Sequence, residues 1–471
     1  MSKKKILLLS DDLRMSSGIG TMSKEFVLGT IKKYDWAQIG GAIKHPEENK
    51  VVNMDESVQK ETGVKDARLT IYPVNGYGNQ ELLRNIITQE KPDAIMHYTD
   101  PRFWGWLYEM EHELRQEMPI FYYNIWDDWP APQYNENFYE CSDLIMNISK
   151  QTVAIVKEVA KNKPRTDWDC TYIPHGVNKH FYPISVFDDE YKQVEGMKKQ
   201  LTDDNIEFVF FYNNRNIRRK NPGDLILAFK TFCDMLPKEE ADKCCLLLHT
   251  QPRDENGTDL PAVVKALCPE YKVYFSHKKL EINQLNWLYN LADVTINIAS
   301  NEGFGLGTCE SLMAGTPITV NITGGLQDQC GFKLKKHSPD GSGYTEEFLT
   351  ANDYSEIKSL HDDRKWKDNN DLTHGEWVKP VWPSNRALVG SIPTPYIFDD
   401  RCRFDDVADK MKEWYEMPSE DRKECGDKGR EFVLSEDSMM SSEHMCNNFI
   451  DHMERAFDNW KPRKRYSIFK A

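Results

Sequence analysis

The stretch Glu302-Gly-Phe-Gly-Leu-Gly-Thr-Cys-Glu310 places two carboxylates around seven residues, three of which are glycine. The apolar run 294–299 precedes it and predicts a buried strand. The run 309–314 predicts a helix that ends at Gly315. A glycine loop between a strand and a helix points backbone N–H groups and the positive end of the helix dipole at one spot. The sequence therefore predicts a phosphate-binding loop, with Glu302 in the loop and Glu310 on the first helical turn.

The two glutamates of this stretch do not suit a phosphate themselves. A carboxylate repels phosphate, but it accepts hydrogen bonds from hydroxyl groups. Glu302 and Glu310 therefore fit the hydroxyls of a sugar or ribose that is attached to the phosphates. The alternative is a glycine-rich turn between a strand and a helix that carries two surface glutamates.

Composition limits the class of protein. A chain of 471 residues is too long for one core, so two domains are expected. No apolar run approaches the ~20 residues that span a bilayer, and Ile6 to Leu9 is too short for a signal peptide. Eleven scattered cysteines without a Cys-x-x-Cys pair argue against a zinc site and favour a reducing cytoplasm. The net charge of −15 opposes non-specific binding to nucleic acid or anionic membranes.

The N-terminal part alternates between strand-like and helix-like runs. Residues 5–10 predict a strand, Gly18-Ile-Gly20 a tight loop, and 21–31 a helix, which is the start of a doubly wound α/β fold. Ser23 occupies the third glycine position of the dinucleotide fingerprint, so that fingerprint is excluded. The fold class predicted from this alternation is α/β with doubly wound sheets.

A second candidate phosphate site follows the strand predicted at 208–212. Arg215 and Lys220 stand there just before the helix predicted at 224–236. Unpaired cations at a helix start oppose the helix dipole, and a bound anion removes that conflict. The alternative is a solvated basic loop. The charged residues 184–205 before this strand predict a linker.

Three features of the sequence together resemble those of retaining glycosyltransferases of the GT-B fold, the glycogen synthase and sucrose synthase-like group of the family 4 type. The first is Glu-x7-Glu at 302–310, and the second is Arg215 with Lys220 five residues later. The third is the segment Tyr172-Ile-Pro-His-Gly-Val-Asn178 with Phe181. The resemblance implies two facing Rossmann-like domains with a cleft between them. It places an acceptor domain at 1–180, a donor domain at 206–400 with an insertion near 333–395, and helices at 401–471 that cross back to the first domain.

The resemblance also implies roles for single residues. It implies that Arg215 and Lys220 bind the diphosphate of a nucleotide sugar, which is expected to be UDP-linked. Glu302 then contacts the transferred sugar, and Glu310 holds the ribose. The family often has a histidine in the loop after the strand 120–125, and the polar candidates there are Asn124, Asp127 and Asp128. Asp127 is the one assigned to catalysis, and a capped aromatic loop is the alternative. Transfer in this family needs neither a metal nor a cofactor. The remaining residues assigned to donor binding are Gly18, Gly20, Gly303, Phe304, Gly305, Leu306, Gly307 and Thr308.

The acceptor is predicted from a further resemblance. The stretches 10–21 and 98–104 resemble glycosyltransferases of tailed phages, some of which act on hydroxymethylated bases in DNA. Trp126, Trp129 and the basic residues 461–470 are candidates to receive such a base and its phosphates. This reading implies an enzyme in the host cytoplasm. A glycan or small-molecule acceptor is the alternative, and a non-catalytic nucleotide-sugar sensor is the alternative of another class.

Overall fold

The computed structural model describes residues 3–44, 46–161, 164–340, 342–356, 367 and 369–464. It divides into two compact units. Unit 1 consists of Met1–Gly176, Ile392–Thr394 and Ser442–Ala471, and unit 2 of Val177–Ser391 and Pro395–Ser441.

The strands and helices are numbered in chain order. The strands are β1 (Lys4–Asp11), β2 (Tyr34–Ile43), β3 (Val52–Asn53), β4 (Leu69–Asn75), β5 (Ala94–Tyr98), β6 (Ile120–Asn124), β7 (Leu144–Asn147), β8 (Cys170–Tyr172), β9 (Phe208–Asn213), β10 (Cys244–His249), β11 (Lys272–Ser276), β12 (Val294–Asn297), β13 (Ile318–Asn321), β14 (Lys333–His337), β15 (Tyr344–Phe348), β16 (Leu372–Thr373), β17 (Val378–Val381), β18 (Asn385–Ser391) and β19 (Thr394–Arg401). The helices are α1 (Gly18–Thr30), α2 (Asp55–Thr62), α3 (Gln80–Glu90), α4 (Gly105–Glu109), α5 (Glu111–Leu114), α6 (Glu136–Glu140), α7 (Lys150–Val159), α8 (Tyr191–Asp203), α9 (Pro222–Asp234), α10 (Lys238–Ala241), α11 (Leu260–Leu267), α12 (Ile282–Leu291), α13 (Leu306–Met313), α14 (Leu326–Gln329), α15 (Ala351–Glu356), α16 (Phe404–Tyr415), α17 (Ser419–Leu434) and α18 (Ser442–Asn459).

The sheet of unit 1 has the strand order β3-β4-β2-β1-β5-β6-β7-β8. Its strands run parallel except β3, which pairs antiparallel with β4. Strand β1 is central, and its residues Ile6, Leu7, Leu8 and Leu9 are fully buried. A continuous apolar run is typical of a parallel strand that is covered on both faces. The predicted first strand is confirmed.

The C-terminal helix α18 belongs to unit 1 and packs against its N-terminal elements. The ring of Phe449 lies 5.1 Å from the ring of Phe26 and 4.9 Å from that of Tyr123. Lys4 and Tyr34 both donate hydrogen bonds to Glu454, at 3.0 Å and 2.9 Å. The end of the chain thereby covers helix α1 and the start of β1.

The central sheet of unit 2 has the order β11-β10-β9-β12-β13-β17, with all strands parallel. Beside it lie the small sheet β15-β14-β16 and the hairpin β18-β19. Helices α16 and α17 belong to this unit, so within 401–471 it is α18 that returns to unit 1. Trp414 of α16 is fully buried and donates to the Thr319 hydroxyl of β13, which ties the helix to the sheet.

Two segments differ from the expectation based on sequence. The predicted linker 184–205 contains helix α8, which the sequence did not indicate because Val194 is its one buried residue and the other positions are mostly polar or charged. The predicted insertion 333–395 supplies β17, the edge strand of the central sheet. Pro380 within β17 concealed this strand, because proline is tolerated in a sheet only where its missing N–H does not break the ladder.

Candidate functional site

The strand order of unit 2 contains a topological switch point. The chain proceeds outward from β9 through β10 and β11 on one side, and through β12, β13 and β17 on the other. Ligands of open α/β sheets bind outside the carboxyl ends of the strands at such a point. The segments that follow β9 and β12 meet there, and they are the two stretches that the sequence marked for phosphate binding.

Lys220 and Glu302 form a buried ion pair at this switch point. Lys220 ends the 3-10 turn Arg218–Lys220, and its Nζ donates to Glu302 Oε2. Their side chains are 8% and 11% exposed. The neighbouring Arg219 ties the two loops together, because its Nη1 donates to the Asn301 carbonyl at 2.5 Å and its own carbonyl accepts from Ser300 N at 2.8 Å. Two residues 82 positions apart in sequence are thereby brought into contact.

The charge of Glu302 is set by this pair. Burial alone would raise its pKa, but the charges of Lys220 and Arg219 and the hydrogen bonds from Lys220 and Asn297 hold the pKa below its usual value. Glu302 therefore remains a carboxylate at neutral pH. As a carboxylate it accepts hydrogen bonds and has no proton to donate.

The expectation of an unpaired cation pair is wrong. Arg215 is 63% exposed and bonds Asp254 Oδ2 through Nε at 3.0 Å, and Lys220 is paired with Glu302. Besides Lys220, the charge of Arg219 lowers the pKa of Glu302, and Arg219 was not among the residues predicted from the sequence. The run Arg218-Arg219-Lys220 was the signal for it, but spacing gives no indication of which of the three points inward.

The glycine loop has the geometry of a helix start without a side-chain cap. Gly305 lies in the left-handed region at φ 90° and precedes Leu306, the first residue of α13. The first N–H groups of a helix have no intrahelical partner, and Leu306, Gly307 and Thr308 supply them here. Gln329 fixes the loop from behind through hydrogen bonds to the carbonyls of Phe304 and Gly305, at 2.7 and 2.9 Å.

Residues 302–304 of the loop are also fixed, by a hydrogen bond and by close packing. The N–H of Gly325 donates to the Glu302 carbonyl at 2.8 Å. A Cβ on Gly325 would lie 2.2 Å from the carbonyl oxygen of Gly303, so this close approach requires glycine. Phe304 is buried in the unit. The predicted loop thus has a fixed backbone from 302 to 308.

Glu310 belongs to a second hydrogen-bonded cluster on the same helix. It is the fifth residue of α13 and therefore lies in its second turn, not in the first turn as predicted. Tyr289 of α12 donates to Glu310 Oε2 at 2.7 Å, and Asn213 Nδ2 at the end of β9 contacts the same tyrosine hydroxyl at 2.7 Å. Burial raises the pKa of Glu310 to about 7, while the hydrogen bond from Tyr289 acts to lower it. The two glutamates of the motif therefore differ in charge near neutral pH.

Gly18 and Gly20 lie in unit 1, in the first turn of α1 rather than in a loop. The hydroxyl of Ser17 caps this helix by accepting from Gly20 N at 3.0 Å. A Cβ on Gly20 would approach the Met15 carbonyl oxygen to 2.5 Å. Close packing of the preceding loop thus accounts for the glycine at 20.

Asp127 follows β6, which is separated from the central strand β1 by β5. Its carbonyl accepts from Gln151 Nε2 at 3.3 Å, and its side chain is half-buried. The neighbouring Trp126 and Trp129 are 8% and 6% exposed. Both rings named as candidates to receive a flipped base are therefore mostly buried, so they do not form the exposed aromatic surface that such a base requires.

The switch point of unit 1 lies between β1 and β5 and carries residues that were not selected from sequence. Asp11 ends β1, and burial raises its pKa to about 6. Asp100 follows β5 and pairs with Arg102. The exposed Phe103 stacks on Tyr77 at 4.8 Å. These residues lie in or beside the stretches 10–21 and 98–104, which resemble phage proteins in sequence. What marks them as a possible ligand site is the order of the strands in the sheet, and that order cannot be derived from the sequence.

Part of the basic C-terminal segment 461–470 lies outside the described residues, which end at 464. Arg463 bonds Glu111 at 2.8 Å through Nη1, and its N–H donates to the Arg115 carbonyl. Among the described residues, no group of three or more His, Cys, Asp or Glu side chains could hold a metal ion. In the same part of the chain, no helix is long and apolar enough to cross a membrane.

Comparisons with known proteins identify the fold. The HepE protein of Anabaena, in complex with UDP and glucose, matches with a TM-score of 0.62 at 11% identity, over 96% of this chain and 100% of that one. Sucrose-phosphate synthase of Thermosynechococcus elongatus matches with a TM-score of 0.64 at 14% identity, over 97% and 100%. A glycosyltransferase of Rickettsia africae matches with a TM-score of 0.62 at 13% identity, over 98% and 100%.

This chain has the GT-B fold. The α/β class and GT-B architecture predicted from sequence are thereby confirmed. No family model matches the sequence. In sequence, the chain is similar to the alpha-monoglucosyldiacylglycerol synthase of Acholeplasma laidlawii, at 30% identity over 157 residues. That alignment covers 33% of this chain and 36% of the relative, so the chain spans little more than a third of the relative's length.

Proposed function

We propose that this GT-B protein is a retaining glycosyltransferase that moves a sugar from a nucleotide-diphosphate sugar to a hydroxyl acceptor. The observation that carries the proposal is the buried Lys220–Glu302 pair beside the uncapped start of α13, at the switch point of unit 2. A cation and free helix N–H groups suit a diphosphate, and a carboxylate beside them suits sugar hydroxyls.

The proposed step breaks the bond between the anomeric carbon and the diphosphate oxygen, and forms a bond from that carbon to the acceptor oxygen on the same face. Negative charge develops on the departing diphosphate. Lys220, Arg215 and the amides from Gly305 to Thr308 would stabilise that charge, which is generally the largest catalytic effect. The acceptor proton goes to the departing phosphate oxygen. Because the pKa of Glu302 is held low, Glu302 binds the sugar as a hydrogen-bond acceptor and is not the acid of the reaction.

The donor is proposed to be UDP-linked. The HepE protein binds UDP and glucose in a fold that this chain shares over nearly its whole length. Lys220 and the glycine loop are proposed to contact only the diphosphate, so they give no preference for one nucleobase. The preference is measured by comparing UDP-, GDP- and ADP-linked sugars as donors.

The acceptor favoured by the resemblance to phage enzymes is a hydroxymethylated base in DNA. The rings expected to receive such a base, Trp126 and Trp129, are buried, so this part of the proposal rests on the resemblance alone. A glycan or small-molecule hydroxyl is the competing acceptor. The similar protein of Acholeplasma laidlawii is named for a diacylglycerol product, so a lipid belongs among the acceptors to be tested.

The test is transfer of radiolabelled sugar from each nucleotide sugar to an acceptor panel. The panel contains hydroxymethylcytosine DNA, unmodified DNA, an oligosaccharide mixture and diacylglycerol vesicles, with Lys220→Ala as the inactive control. Label on hydroxymethylcytosine DNA alone supports the DNA proposal, and label on another acceptor replaces it. Proton NMR of the product gives the anomeric configuration, and an inverted product contradicts the retaining mechanism. Binding without any transfer favours a nucleotide-sugar sensor.

The reaction is proposed to need no metal ion, with Arg215 and Lys220 supplying positive charge at the diphosphate. Turnover should then be unchanged in EDTA. Loss of turnover that Mg²⁺ or Mn²⁺ restores would contradict this proposal. The location proposed is a reducing cytoplasm, which the eleven free cysteines fit.

A further inference from the structure

A chain of hydrogen bonds runs from Asn213 through Tyr289 to Glu310. A tyrosine hydroxyl has one proton to donate, while an asparagine amide nitrogen can only donate. Asn213 Nδ2 contacts the Tyr289 hydroxyl at 2.7 Å, so that hydroxyl accepts from Asn213 and gives its own proton to Glu310 Oε2. No described residue donates to the other oxygen, Oε1 of Glu310, which is thereby left for a ligand hydroxyl.

The tyrosine is held rigidly. Tyr289 is fully buried, and its ring meets those of Phe211 and Phe181 edge-on at 5.3 and 5.8 Å. Its carbonyl accepts from the Thr316 hydroxyl at 2.7 Å. Burial and the charge of Glu310 raise the pKa of Tyr289 well above its usual range, so the donated proton stays on the tyrosine.

The glycine motif itself makes room for this chain. A Cβ on Gly307 would lie 2.9 Å from the Asn213 carbonyl oxygen and 3.3 Å from the Tyr289 hydroxyl. The third glycine of the motif therefore allows α13 to pack directly on the pair that orients Glu310. A larger residue at position 307 would push α13 away from Asn213 and Tyr289.

We propose that Tyr289 and Asn213 are positioning residues that orient Glu310 toward the ribose hydroxyls of the nucleotide sugar and favour its ionised form. The inference rests on the proposed function of this site. Neither residue belongs to the Glu-x7-Glu motif, and Tyr289 comes from the helix that precedes strand β12.

Two ionisable side chains beside Glu310 interact with it. Tyr289 faces it from α12, and Cys309 is its neighbour on α13. Arg430 of α17 donates to the Met313 carbonyl at the far end of the same helix. Because the hydrogen bond from Tyr289 lowers the pKa of Glu310, its removal should raise that pKa from about 7 to a higher value.

The test compares Tyr289→Phe with the wild type by calorimetric binding of UDP and UDP-glucose and by steady-state kinetics from pH 6 to 9. The variant should raise Kd and KM for the nucleotide sugar about 10-fold at pH 7 and change kcat less than about 2-fold. The pH at which binding reaches half its maximum should rise by about one unit. Tyr271→Phe, which removes a tyrosine–carboxylate bond to Asp234 elsewhere in unit 2, is the matched control and should change neither quantity.

A double-variant comparison separates positioning from a general packing effect. Glu310→Gln removes the titrating group, so Tyr289→Phe should not shift the pH profile in that background. An equal shift in both backgrounds, or unchanged affinity and pH profile in folded Tyr289→Phe, overturns the positioning role while leaving the proposed function intact. Failure of the wild type to bind any nucleotide sugar overturns both.

Discussion

The two units have the same kind of switch point but different chemistry at it. Strands β1 and β5 form it in unit 1, and strands β9 and β12 form it in unit 2. In unit 1 the helix that follows is capped by its own chain, since Ser17 accepts from Gly20 N. In unit 2 the helix begins at Gly305 without a side-chain cap. A helix start whose N–H groups are already satisfied has less to offer an anion.

The charged residues at the two switch points also differ. The switch point of unit 1 carries Asp11 and the Asp100–Arg102 pair. That of unit 2 carries Lys220 buried against Glu302. The common topology therefore provides two places where a ligand can bind, and the loop residues decide that the second one suits a diphosphate.

The strongest test of this contrast is Lys220→Ala. Turnover should fall about 10²- to 10³-fold because the charge at the leaving group is lost. The free energy of unfolding should drop by about 3–5 kcal/mol, since Glu302 is left buried without its partner. Urea unfolding and kinetics measure the two effects. Lys230→Ala, which removes an exposed pair with Asp234, is the control and should change neither appreciably.

The uncapped helix start is tested by Gly305→Ala. Gly305 has φ 90°, and a Cβ would lie 2.5 Å from Leu326 Cδ2. The loop must shift, so nucleotide-sugar affinity should fall about 10-fold and stability by about 1–3 kcal/mol. Gly196→Ala, in the open on α8, provides the glycine-to-alanine control and should be neutral or stabilising. Normal affinity in Gly305→Ala would mean that the loop does not hold the phosphates.

The two glutamates of the motif should respond to pH with opposite sign. The folded pKa of Glu310 is about 7, against 4.5 for a free side chain, so the folded state binds more protons between these values. Its contribution to stability is therefore lost as pH rises through this window. Glu310→Gln should be more stable than the wild type at pH 8, by about 1–3 kcal/mol, and equal to it below pH 4.5.

Glu302→Gln provides the opposite case. Its folded pKa is lowered, so its contribution is present above pH 4.5 and lost as pH falls below that value. This variant should be less stable than the wild type at pH 7, and the difference should shrink in acid. Urea unfolding across pH 4 to 8 measures both variants, and a shared sign would contradict the charge states assigned to them.

The smallest expected effect belongs to unit 1. Ser17→Ala removes the cap of α1 and should cost about 1 kcal/mol of stability. Nucleotide-sugar affinity should stay within about twofold if the diphosphate binds in unit 2. A clear loss of affinity would instead support the sequence-based assignment of Gly18 and Gly20 to donor binding. The urea midpoint and calorimetric affinity are measured on the same preparation.

Local sequence predicted the fold class and the two loops of the proposed donor site. Continuous apolar runs such as Ile6 to Leu9 predict buried parallel strands, and glycine after such a run predicts the turn into a helix. Arg215, Lys220, Glu302 and Glu310 were selected by spacing and resemblance. Their assigned roles remain predictions, to be tested by the experiments above.

Only the tertiary structure showed which side chains meet. The Lys220–Glu302 pair joins two loops because β9 and β12 are neighbours in the sheet, and that order is not written in either segment. The link from Tyr289 to Glu310 likewise depends on the packing of α12 against α13. The burial of Trp126 and Trp129 could not be predicted either, because the sequence of an aromatic loop does not show whether other parts of the chain cover it. Sequence periodicity indicates which face of a segment is buried. The ion-pair and hydrogen-bond partners of a side chain, its pKa and its solvent exposure depend on residues that are far away along the chain.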